Sequence, residues 1–302
     1  MLSVRRASLW FAFSIVVVFL LSACGGPAGP GTTASSTGVN VVAAENFYGD
    51  IVKQLGGSHV SVTSLLSDPN VDPHEYESGV QTAILVSKAQ LVIKNGAGYD
   101  SWMDRLLAAS PNSNRIVLTA YDTAPIKLQD NEHVWYSIVN IQAIAQAINS
   151  DLKKLDAADA ATFDSNLQAF TQSIQQVQQK IDGIKGKYAG TPVGLTETIY
   201  LYQSGPLGLN VLTPFQFQKA VAEGNDPPAG TVVTAENQII GHQIKVLIYN
   251  KQTITPTTTK LLNDARTANI PTVPVTETMP PGKTYQTWML EQLNSLEQAL
   301  GQ

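Results

Sequence analysis

Leu167-Gln168-Ala169-Phe170-Thr171-Gln172-Ser173-Ile174-Gln175-Gln176-Val177-Gln178-Gln179-Lys180-Ile181 is the stretch on which the architecture turns. Its apolar residues Leu167, Phe170, Ile174, Val177 and Ile181 recur at intervals of three and four, the period of one helical face. The surrounding segment, Ile138 to Lys187, has no proline, and glycine only at Gly183 and Gly186. It reads as two helices, the second of them long. On either side the texture changes to short apolar runs separated by turn residues.

Before the helical segment, Val39 to Ala44 reads as a buried strand, Val60 to Leu65 as the next strand, and Gln90 to Lys94 and Arg115 to Leu118 as further short apolar strands. Phe47 to Leu55 reads as a helix that stops at Gly56-Gly57, a favourable C-terminal pair. Strands alternating with helices argue for parallel βα units. After the helical segment the alternation resumes at Pro192 to Leu195, and the second half echoes the first. Ala44-Glu45-Asn46-Phe47-Tyr48 corresponds to Thr196-Glu197-Thr198-Ile199-Tyr200, and Asp72-Pro73 to Asp226-Pro227. Leu91-Val92-Ile93-Lys94-Asn95 corresponds to Val246-Leu247-Ile248-Tyr249-Asn250, and Val117-Leu118-Thr119 to Pro274-Val275-Thr276. The offset between partners runs only from 152 to 157. A duplicated α/β domain is expected: two lobes with mostly parallel sheets, joined by a long rigid helix. Ligands of such folds favour the cleft at the carboxyl ends of the strands.

With 302 residues, 43% of them hydrophobic and 14% charged, the chain suits two domains with real cores. The formal net charge is -5. That acidic balance argues against nucleic-acid binding, which needs a basic surface. At the N-terminus, Arg5 and Arg6 precede an apolar run from Ala7 to Leu21, the pattern of an export signal and short for a membrane span. The run ends in Leu21-Ser22-Ala23-Cys24, followed by Gly25-Gly26. This resembles a bacterial lipobox, with Cys24 as the lipidated first residue of the mature chain. Cys24 is also the single cysteine, so it has no partner for an internal disulfide. The Gly-, Pro-, Ser- and Thr-rich stretch from Gly25 to Val39 reads as a flexible tether. The expected organisation is a signal peptide over 1–23, a tether over 24–38, an N-terminal lobe over 39–156, a linking helix over 157–187 and a C-terminal lobe over 188–302.

Four histidines occur. His59 follows Gly56-Gly57-Ser58 and His242 follows Gly241, each leading into a strand, where a surface or turn histidine is the ordinary reading. His74 lies in Asp72-Pro73-His74-Glu75-Tyr76-Glu77. There Pro73 restricts the backbone, and neighbouring carboxylates can take the second ring N–H, as ligating histidines require. His133 lies in Glu132-His133-Val134-Trp135-Tyr136, after the fourth strand. Both sit on loops at one side of the first sheet. In the second half the matching strand ends carry Glu197 and Glu277. A strand-end acid can also be a helix N-terminal residue stabilised by the dipole. If the lobes face each other, two imidazoles and two carboxylates make a site that a divalent cation neutralises.

Several motifs together resemble the zinc/manganese solute-binding lipoproteins of ABC importers. They are the lipobox, Glu45-Asn46-Phe47-Tyr48-Gly49-Asp50, Asp72-Pro73-His74-Glu75-Tyr76-Glu77, Asn95-Gly96-Ala97-Gly98-Tyr99-Asp100, His133-Val134-Trp135-Tyr136 and Val275-Thr276-Glu277-Thr278. The resemblance covers nearly the whole mature chain. It implies a metal site between the lobes, with His74, His133, Glu197 and Glu277 as ligands and Zn2+ or Mn2+ as the transported ion. It also implies an ABC permease with its ATPase as partners, an extracytoplasmic location anchored through Cys24, a monomer and no enzymatic activity. Zinc is favoured over manganese. The segment Ala108 to Glu132 has no histidine, so the His-rich loop carried there by many zinc-specific members is absent. A metal-stabilised adhesin or structural lipoprotein, a zinc metallohydrolase lacking one ligand and a binder of an organic solute remain as alternatives.

Overall fold

A computed structural model describes residues 38–68, 76 and 79–302. Cys24 and the leader lie outside the described residues, and so does His74. In the first lobe the chain runs β1 (Val39–Glu45), α1 (Asn46–Gly56), β2 (Val60–Leu66), α2 (Val80–Lys88), β3 (Leu91–Lys94), α3 (Ser101–Ala109), β4 (Ile116–Thr119) and the single turn α4 (Ala120–Thr123). Two antiparallel helices follow, α5 (Ile138–Leu155) and α6 (Ala160–Tyr188). The second lobe runs β5 (Pro192–Leu195), α7 (Leu201–Ser204), β6 (Asn210–Val211), α8 (Phe215–Ala222), α9 (Ala229–Ile240), β7 (Val246–Asn250), α10 (Pro256–Thr267), β8 (Thr272–Val275) and α11 (Tyr285–Leu300).

Each lobe holds a four-stranded, all-parallel sheet, ordered β2-β1-β3-β4 in the first and β6-β5-β7-β8 in the second. The two orders are the same once β5 to β8 are set against β1 to β4, as a duplicated unit requires. The registers correspond as well. Val41 stands between Val62 and Leu91, and Val193 between Val211 and Val246. In β1 every residue except Asn40 is buried, the continuous apolar run of a parallel strand covered on both faces. The short second strand β6 had no period that sequence could reveal.

The inner faces of both sheets share one core. Phe47, Ile51 and Leu55 of α1, Ile141, Ile144 and Ile148 of α5, and Trp288, Leu293 and Leu296 of α11 all enter it. So do Phe170, Ile174, Val177, Ile181 and Ile184 of α6. Separate smaller cores fill the outer faces, one around Val42, Val92 and Trp102, the other around Phe217, Leu247 and Leu261. With 29 residues, α6 is about 43 Å long at 1.5 Å per residue, and it packs on α1 and α5 of the first half and on α11 of the second. Lys180 and Lys187 of α6 both bond the Glu297 carboxylate of α11, and the Lys180 bond first of all holds that acid down at about 2. A large swing of one lobe against the other would part this shared layer. The fold therefore favours small relative motions.

Local chemistry sets the element ends. Ser137 caps α5 by accepting from the Asn140 N–H. Thr255 and Thr258 form a capping box on α10, as Thr284 and Thr287 do on α11, each satisfying otherwise orphaned N–H groups. At the α1–β2 turn the packing is tight: a Cβ on Gly56 would stand 2.2 Å from Val60 Cγ1. On α6, by contrast, Gly183 and Gly186 have open space where a Cβ would go. Gly56→Ala should therefore cost about 1–3 kcal/mol through overpacking. Gly183→Ala should add up to about 1 kcal/mol by restricting the unfolded chain. Urea unfolding of the metal-free protein measures both.

Candidate metal centre

The segments that follow β4, β5 and β8 converge on one buried site. His133 precedes a single 3-10 turn, Val134–Tyr136, in the segment leading into α5. Glu197 follows β5 in extended backbone, ahead of a second 3-10 turn, Thr198–Tyr200, and its side chain makes no capping bond. Glu277 follows β8 in an irregular stretch. Glu197 thus stands at the N-terminal position of a helical turn without a side-chain cap, whereas Glu277 directly precedes no helix. One ligand atom from each of His133, Glu197 and Glu277 lies within 4.8 Å of the other two. The three are 0%, 2% and 0% exposed. His133 Nε2 and Glu277 Oε2 are 4.0 Å apart. Tetrahedral zinc ligands at about 2.0–2.2 Å from the ion stand roughly 3.4 Å apart, so a bound ion would draw this pair together by well under 1 Å.

The tautomer of His133 follows from its neighbours. The Asn131 amide donates from Nδ2 to the Thr198 carbonyl at 2.8 Å, which turns its oxygen toward His133. That oxygen accepts the His133 backbone N–H and lies 3.0 Å from Nδ1. Nδ1 therefore carries the hydrogen, and the lone pair sits on Nε2, the nitrogen facing Glu277. An orienting partner of this kind is what a ligating imidazole needs. Asn131 also ties the two halves together, since Thr198 directly follows Glu197.

Glu277 is held just as firmly. Asn250, at the end of β7, donates to Oε1 at 2.6 Å. Tyr99, from the first lobe, donates to Oε2 at 2.9 Å. Burial, and then the Glu277 charge, push the Tyr99 hydroxyl well above its ordinary range, so it remains a donor throughout the physiological range. The loop presenting Tyr99 turns through three successive left-handed residues, Gly96, Ala97 and Gly98. It is clamped by the Asp100 carboxylate, which accepts the Asn95 and Gly96 N–H groups at 2.6 and 2.8 Å. Asn95 and Asn250 occupy matching places after β3 and β7. Asn95 accepts from the Tyr48 hydroxyl and donates to the Glu132 carbonyl next to His133. Trp135 closes the site, with its ring 5.1 Å from His133 and stacked on Phe47 at 4.7 Å.

Sequence reasoning placed His133, Glu197 and Glu277 near the cleft, and these three come together. It assigned no role to Asn131, Tyr99 or Asn250. The repeat of Asn95 at Asn250 and the presence of Tyr99 in the Asn95–Asp100 motif were the available signs. His59 and His242 lie elsewhere. The His59 imidazole meets Asp159 at 2.7 Å, with Asp156 close by, tying the turn after α1 to the start of α6. His242 is an exposed turn residue with a left-handed backbone. Glu45, at the end of β1, is fully buried beside the Asp100 carboxylate. Burial, then the Asp100 carboxylate, push its pKa well above the usual range.

Residues 41–299 match the family model described as zinc-uptake complex component A, periplasmic. The manganese-binding lipoprotein MntA of Halalkalibacterium halodurans is 28% identical over 174 residues, which is 57% of this chain and 58% of the relative. The manganese ABC transporter substrate-binding lipoprotein PsaA of Streptococcus pneumoniae is 25% identical over 189 residues, covering 58% of this chain and 60% of the relative. The chain thus spans about three-fifths of the length of these relatives. Among solved structures, the periplasmic zinc binding protein TroA of Treponema pallidum superposes with a TM-score of 0.72 at 18% identity, over 86% of this chain and 98% of that one. The Pseudomonas aeruginosa protein FpvC in complex with Mn2+ also gives 0.72 at 18%, over 87% and 98%. At that identity the likeness bears on the fold. Among the described residues, no helix is long and apolar enough to cross a membrane.

The raised pKa of Glu45 has a stability consequence. A carboxyl whose folded pKa is raised contributes stability below its unfolded value and loses it as pH rises toward the folded one. The metal-free wild type should therefore lose stability relative to Glu45→Gln as pH rises above the ordinary glutamate range. The gap should widen progressively toward neutrality. Thermal unfolding of both forms from pH 4 to pH 8 checks it, and parallel curves would refute it.

Proposed function

The chain belongs to the family of the periplasmic zinc-uptake complex component A, and from that premise we propose that it captures a divalent transition metal between its lobes and delivers it to an ABC permease driven by an ATPase. The observation that carries this reading is the convergence of His133, Glu197 and Glu277, buried and within 4.8 Å of one another, from opposite halves of a duplicated fold. Buried acids are costly unless a cation or donors offset them, and an ion among these donors does so. His74, in the Asp72-Pro73-His74-Glu75 segment, supplies the fourth ligand. Two imidazoles and two carboxylates then fill a tetrahedral shell with protein atoms, the closed arrangement of a binding site.

Each lobe brings half the donors, so the metal favours the closed arrangement by its differential affinity for it. His133 and His74 belong to the first half, Glu197 and Glu277 to the second. Zinc is the favoured cargo, because mixed nitrogen and oxygen sites hold zinc more tightly than manganese. Manganese is the runner-up, and two carboxylates suit it. The protein works as a monomer at the extracytoplasmic face, held to the membrane by a lipid on Cys24.

His133→Ala and Glu197→Gln should each weaken zinc binding by about 100-fold or more, with the far-UV circular dichroism unchanged. Glu277→Gln and His74→Ala should do the same. Titration calorimetry with zinc and with manganese measures this, and wild-type affinity in the His133 variant would contradict the assignment. Affinity should also fall steeply on acidification, because a protonated imidazole cannot ligate.

A further inference from the structure

We propose that Asn46, the first residue of α1, is a positioning residue that holds Glu277 in the site from the opposite lobe and so sets how slowly the metal leaves. This rests on the reading of Glu277 as a ligand. Its starting point is the backbone just beyond Glu277, which belongs to no helix or strand from Thr276 to Thr284. Such a segment must find partners for its N–H groups outside regular ladders. Here four consecutive N–H groups go to side-chain amide oxygens, the first from Thr276 to Gln292 Oε1 at 3.3 Å. The Glu277 and Thr278 N–H groups donate to Gln252 Oε1 at 2.8 and 3.1 Å, within the second lobe. The Met279 N–H donates across the cleft to Asn46 Oδ1 at 3.0 Å. Asn46 Nδ2 returns a bond to the Met279 carbonyl at 2.7 Å.

One carboxamide thus takes both backbone groups of a single residue, as a neighbouring strand would. The next two residues, Pro280 and Pro281, have no N–H to offer. Asn46 is therefore the last side-chain clamp on this segment before the α11 cap. It also heads a stripe. Asp50 and Gln54 follow at intervals of four, on the same face of α1. Asp50 accepts the Tyr285 N–H at 2.8 Å. Gln54 and Gln286 exchange amide bonds at 3.0 and 2.9 Å. This polar stripe of the first lobe zips onto residues 279–286 of the second, and its Asn46 end lies two residues from Glu277. Withdrawing Glu277 from His133 by parting the lobes breaks the Asn46 pair.

The test is release of zinc from the full-length protein, followed by stopped-flow transfer to an excess of chelator. Losing two exchanged hydrogen bonds should speed release by roughly 5- to 100-fold in Asn46→Ala. Asn46→Asp keeps the acceptor, loses the donor and should fall between, giving a second reading if the alanine variant folds poorly. In a Glu277→Gln background the Asn46 substitution should add no more than about twofold, because the side chain it positions is no longer a carboxylate. Release unchanged in both Asn46 variants overturns the proposal. So does a full, additive effect in the Glu277→Gln background, which would mark a general closure contact. If instead His133→Ala keeps wild-type affinity, the metal-centre reading itself fails, a result separate from these.

Discussion

Burying acidic side chains between two sheets is the constraint around which the molecule is arranged. Glu277 cannot stand in a dry cleft unless something meets its charge. Donors from both lobes do so: Asn250 from the second and the Tyr99 hydroxyl from the first. The same logic orients His133, whose Nδ1–H is spent on Asn131 so that Nε2 is left for the cleft. His133 and Glu277 are each fixed by a neighbour that reaches across to the other half. The His133–Glu277 cluster and the lobe interface are therefore one network.

The scaffold explains why such a network can be held to fractions of an ångström. Parallel strands deliver their carboxyl ends to one edge of each sheet, and the same strand order is used twice. The inner faces share a core through α5, α6 and α11, which leaves little room for independent swinging. On the proposed function, a site made of half-shells on such a frame would need only small adjustments to take an ion. His133 Nε2 and Glu277 Oε2, 4.0 Å apart, are already near bonding separation.

Much of this was legible in the sequence, for physical reasons. Buried parallel strands are apolar runs, and the echo of Leu91–Asn95 in Val246–Asn250 marked the same strand in both lobes. The three-four spacing from Leu167 to Ile181 marked a buried face of α6. His133, Glu197 and Glu277 could be singled out because strand ends in this architecture point to the cleft. What could not be read were the groups that act only through tertiary placement. Asn131 and Gln252 look like ordinary loop residues until the fold brings Thr198 and the 277–278 backbone to them. Tyr99 depends on a left-handed loop that no hydrophobic period announces. The two residues of β6 are too few to show a pattern. His74 lies outside the described residues, so its place in the shell rests on its motif.

The central claim is that one metal ion binds between the lobes, on donors from both. Zinc K-edge X-ray absorption on the one-to-one zinc complex tests it most directly. The account requires two imidazoles and two carboxylates with bonds at about 2.0–2.2 Å. It also requires one imidazole to disappear from the spectrum when His133 is replaced by alanine. A first shell dominated by water oxygens, or one that keeps both imidazoles in that variant, would contradict it.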